Sequence, residues 1–115
     1  MVRVRQHGED GQLFDMPAFL PVVEQSLQPE EWLLDIEWCT GESADTLQGL
    51  SPEELVPHST LVSLVSGLRQ TLDGTYRCIR SGQPVAELRA VDSSFWEVSG
   101  PQQFEAEMLA LCGPV

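Results

Sequence analysis

The chain has 115 residues, 42% of them hydrophobic, and a formal net charge of −12 from eighteen carboxylates against six basic residues, every one an arginine. That length and apolar share fit a single domain over residues 1–115 with a modest core. A field of this sign repels phosphate backbones and anionic lipid, which sets nucleic-acid and membrane binding aside and makes a basic protein the natural partner.

Val2 to Arg5 alternates with period two and predicts a first strand, and the polar, glycine-bearing stretch from His7 to Gln12 predicts a turn. From Phe14 to Leu27 the spacing of Phe19, Leu20, Val23 and Leu27 predicts a helix with Asp15 as N-cap. Pro17 and Pro21 predict that it starts late or kinks. Trp32 to Cys39 is the clearest strand, with Leu34, Ile36 and Trp38 expected on one face and Leu33, Asp35, Glu37 and Cys39 on the other.

Thr40 to Leu50 reads as a polar loop, and Ser51-Pro52-Glu53-Glu54 as a helix start with a capping box, ended or bent by Pro57. Leu61, Leu64, Val65, Leu68 and Leu72 form a helical stripe, which Asp73-Gly74 is expected to stop. Thr75–Arg80, Val85–Val91 and Phe95–Val98 read as strands, the first two joined by a hairpin turn at Ser81-Gly82-Gln83-Pro84. Between the last two, the side-chain oxygens of Asp92, Ser93 and Ser94 compete for backbone N–H groups and predict a bulge or tight turn. A last helix opens after Gly100-Pro101, with Phe104, Met108 and Leu111 on one face, and closes at Gly113-Pro114. The expected class is α+β: a mainly antiparallel sheet of four or five strands with two or three helices packed on one side.

The chain carries little catalytic equipment. Cys39, Cys78 and Cys112 are odd in number and form no CxxC pair, so they read as free buried thiols. His7 and His58 stand alone and read as surface or loop residues. Ser93 and Ser94 lack a nucleophile elbow and a base, and no glycine run cradles a phosphate. No catalytic residue, metal site or cofactor is predicted, and the chain is expected not to be an enzyme. The strongest contrary reading is a metal held by Asp35 and Glu37, two residues apart on one strand face.

Charge is unevenly spread along the chain. Residues 1–68 hold twelve carboxylates and two arginines, net −10, while residues 69–115 hold six and four, net −2. The partner-binding candidates are therefore Glu30, Glu31, Asp35, Glu37, Glu42 and Asp45. Adjacent strand residues point to opposite faces, so one of Phe95 and Trp96 can lie at a rim, and Trp96 is added as a candidate aromatic anchor. Trp32, Trp38 and Trp96 are a possible cluster, and a homo-oligomer that buries Trp96 is a further reading. With no run of about 18 apolar residues and no apolar stretch in Met-Val-Arg-Val-Arg-Gln-His-Gly, the expected location is cytoplasmic.

The segments "EWLLDIEW", "RQTLDGTYRC" and "LRAVDSSFWEV", spread over residues 31–99, resemble the small acidic immunity proteins of bacterial toxin systems, including contact-dependent and type VI secretion systems. The most specific element is Asp92-Ser93-Ser94-Phe95-Trp96-Glu97-Val98. The resemblance implies neutralisation of a cognate toxin by occlusion, with carboxylates entering a basic active-site cleft and aromatics slowing release. The alternative is a small acidic adaptor or secretion-chaperone-like module that docks a secreted protein without inhibiting it.

Overall fold

A computed structural model describes residues 1–115. The elements run β1 (Val2–Arg5), α1 (Met16–Leu27), β2 (Glu31–Thr40), α2 (Ala44–Gly49), β3 (Val56–Pro57), α3 (His58–Ser66), β4 (Gln70–Arg80), β5 (Gln83–Val91), β6 (Phe95–Ser99) and α4 (Gln102–Cys112). The strands form one antiparallel sheet in the order β1-β6-β5-β4-β2-β3. The class is α+β as expected, with six strands and four helices rather than five and three at most.

Phe19 of α1, Leu61 of α3 and Phe104 of α4 join Leu34, Tyr76, Leu88 and Trp96 of the strands in one core cluster. Its centre is Trp96, with no exposed surface, edge-on to Phe19 at 5.1 Å and tilted against Tyr76 at 6.1 Å between ring centroids. The indole N–H donates to the Phe14 carbonyl at 2.9 Å, so the ring is buried without an orphaned donor. Trp96 is therefore a core residue and is not presented to a partner.

Two hairpins order the C-terminal half. Ser81 and Gly82, both at positive φ (53° and 73°), make a two-residue turn of the hairpin-favouring kind between Arg80 and Gln83. Val91 pairs with Phe95, so Asp92-Ser93-Ser94 is a three-residue turn rather than a bulge within a strand. Asp92 and Ser93 lie in the left-handed region (φ 51° and 50°), which Asp tolerates well. Here Ser94 N–H donates to Val91 O, and Asp92 N–H to the Asp73 carboxylate.

Four expectations fail for tertiary reasons. The third helix ends at Gly67, and Leu72-Asp73-Gly74 belongs to the middle of β4, where Gly74 faces Ile36 so closely that a Cβ would stand 2.9 Å from the Ile36 side chain. The leucine stripe thus spans two elements. Ser51–Glu54 is a turn leading into β3, although Ser51 Oγ still accepts from Glu53 N–H. The 40–50 segment contains α2, anchored by buried Leu47. On α4 the inward residue is Cys112, and Leu111 is exposed.

Asp15 caps α1 as predicted, its Oδ1 accepting from Met16 N–H at 2.7 Å, and the helix runs through Pro21. Its second role was not foreseen. Asp15 is buried, and it also accepts from Thr71 N–H (2.6 Å) and Thr71 Oγ1 (3.0 Å), while Thr71 Oγ1 meets Tyr76 OH and Gln6 donates to Thr71 O. Burial pushes the Asp15 carboxyl up to about 6 despite these donors.

Candidate functional site: the open face of the sheet

Side chains alternate across a strand, so the residues between the core positions form a second face. Cross-strand register lines them up in rows. One row runs Arg3, Glu97, Arg89, Thr75, Asp35 across β1, β6, β5, β4 and β2. The next runs Glu87, Arg77, Leu33 across β5, β4 and β2. No helix residue lines the groove of about 340 Å³ on this face, whose walls include Asp35, Glu37, Pro52, Arg77, Glu87 and Arg89.

Charge alternates along these rows until it reaches β2. Glu97 takes Arg3 at 3.3 Å and Arg89 at 3.4 Å, and Arg77 binds Glu87 at 3.0 Å. Exposed pairs of this kind add at most about 1 kcal/mol each, but they decide which charges remain free. The position opposite Asp35 is Thr75, and that opposite Leu33 is Arg77, already engaged. Neither Asp35 nor Glu37 has an ion pair or a hydrogen-bonding partner within the chain.

The end of β2 departs from simple alternation. Ile36 pairs with Gly74 and Trp38 with Asp73, leaving Glu37 as an extra residue; then Cys39 pairs with Thr71, leaving Leu72 extra on β4. This irregularity turns Cys39 into the core and Trp38 out, the reverse of the expected faces. Trp38 is 56% exposed beside exposed Glu37. The three tryptophans therefore form no cluster: Trp96 is central, Trp32 is buried against His58, and Trp38 stands in solvent.

The other candidates are strung along β2 and beyond it. Glu30 and Glu31 lie at its start, where Glu30 accepts from Ser81 N–H, and Glu42 and Asp45 lie past its far end, exposed around α2. Nine residue steps at about 3.3 Å separate the ends of β2 by roughly 30 Å, so these six carboxylates make a strip rather than a cluster. Exposed Glu53 and Glu54 precede β3, the neighbour of β2, and extend the acidic side of the sheet beyond what sequence spacing indicated.

His58, expected on the surface or in a loop, begins α3 and is partly buried. Trp32 Nε1 can only donate, and it reaches His58 Nδ1 at 3.0 Å; the ring proton is thereby assigned to Nε2, which meets Glu24 at 3.0 Å. Both ring nitrogens are thus occupied by structural partners. The three cysteines are buried free thiols, with Cys78 pushed up to about 11 and Cys112 to about 12 by burial. No three His, Cys, Asp or Glu side chains converge as a metal-holding group, and Asp35 and Glu37 have no third ligand beside them. No helix is long and apolar enough to cross a membrane.

No family model, curated protein or solved structure matches the chain.

Proposed function

We propose that this protein binds a basic protein and neutralises it by occlusion, in the manner of the toxin-neutralising immunity proteins it resembles. The observation that carries this reading is the placement of the free charge. The arginines of the open face are engaged with Glu87 and Glu97, whereas Asp35 and Glu37 on β2 face solvent with no cation of their own. Carboxylates left unpaired in this way break no internal ion pair on binding, and incoming lysines or arginines offset the cost of desolvating them. The surrounding negative field steers a cationic protein towards them.

The test is titration calorimetry of the purified protein against the product of the adjacent gene, with an assay of that product's activity. Salt-sensitive binding with loss of activity is the expected result. Binding that leaves the activity intact would make the chain an adaptor, and no binding, or binding indifferent to Asp35→Asn with Glu37→Gln, would remove the reading.

A further inference from the structure

We infer that Trp38 and the carboxylates around it form the contact that receives an arginine side chain of the basic partner. This rests on the binding role proposed above and specifies where on the acidic side recognition is centred.

The β2 irregularity places Glu37 and Trp38 side by side in solvent. Across the ladder, Asp73 is the register partner of Trp38, and it is bonded through Oδ1 to the N–H of exposed Asp92. Asp35 is two residues from Glu37 on the open face, roughly 7 Å along the strand. The exposed indole thus has Glu37 next to it in the chain and Asp73 opposite it across the ladder. The chain's one cation–π contact is elsewhere, Arg3 over Phe95 at 5.4 Å, so no internal guanidinium covers Trp38.

Both parts of the site select the same chemistry. A tryptophan face attracts a cation through its quadrupole, and a guanidinium is planar enough to stack on the ring while its edge donates to a carboxylate. Lysine can satisfy the charge but not the fork. Tryptophan is also a favoured anchor where a partner excludes water, and here it is supplied by the ring that folding turns outward.

The test uses a synthetic tetra-arginine peptide, with tetralysine and tetracitrulline as comparisons, titrated into the isotopically labelled protein. Saturable shifts centred on the Trp38 indole N–H and on the amides of residues 35–38 and 73–75 are expected, with arginine binding more tightly than lysine and citrulline not binding. Trp38→Leu is expected to weaken the arginine peptide about three- to tenfold, and Trp38→Phe less. Because Trp38 is exposed, unchanged amide spectra away from the site confirm that both variants fold. Shifts spread over Glu30, Glu31, Glu42 and Asp45, equal affinity of the Trp38→Leu variant, or no saturable binding would each overturn the inference. Calorimetric binding of the adjacent gene's product would then still stand, so the two readings fail separately.

Discussion

The two faces of the sheet answer the same problem in opposite ways. On the helix-covered face every buried polar side chain has a partner, and even a carboxylate is met by three donors. On the open face, salt bridges extend from β1 to β4 and stop there, leaving the β2 side acidic and unanswered. The difference teaches where stability and recognition reside. Satisfied groups hold the fold together, and unsatisfied exposed groups are available to another molecule.

The comparison breaks most visibly in the core. Trp96→Ala removes the ring that α1 and β4 pack against and is expected to cost about 3–5 kcal/mol, measured by urea unfolding. Asp15 gives the next largest effect. The folded chain holds its proton more tightly than the unfolded chain, so stability is highest below pH 4 for this group and falls as pH rises to about 6, by roughly 3 kcal/mol. Subtracting the pH profile of Asp15→Asn from that of the wild type isolates this slope; a flat difference between about pH 4 and 6 would show that the carboxyl titrates normally.

His58→Ala leaves the buried Trp32 N–H without its acceptor and is expected to cost about 1–3 kcal/mol by the same unfolding measurement. The smallest stability effect is expected on the open face. Thr75→Arg sets a cation opposite Asp35, with Arg89, already bound to Glu97, on its other side, so the unfolding midpoint should fall only slightly while binding of the basic partner is lost.

Much of this was legible in the sequence because local chemistry and tertiary structure agree there. The cap at Asp15, the hairpin at Ser81-Gly82 and the strand at Trp32 are set by nearby residues. Where distant contacts decide, the pattern misled. Leu68 and Leu72 continue a helical stripe on paper, yet Leu72 lies in β4 because pairing of its neighbours Thr71 and Asp73 with β2 outweighs one more helical turn. The same limit governs the site. The excess of carboxylates around β2 is visible from charge alone, but their freedom depends on which arginines lie opposite them. That is a matter of register, invisible until β1, β6 and β5 are aligned. Trp38 was misplaced because no periodicity announces the extra residue at Glu37, whereas for Phe95 and Trp96 alternation puts the two rings on opposite faces without saying which of them meets the helices, and the core takes Trp96.

The central claim is that location, not total charge, makes the β2 side the binding surface. Two variants with the same charge change decide it: Asp35→Asn with Glu37→Gln, and Glu9→Gln with Asp10→Asn in the exposed turn after β1. Their affinities for the adjacent gene's product, measured side by side at one ionic strength, should differ, with the β2 pair weakened about tenfold or more and the turn pair nearly unchanged. Equal weakening would mean that only the overall field matters, and would contradict the assignment of the site.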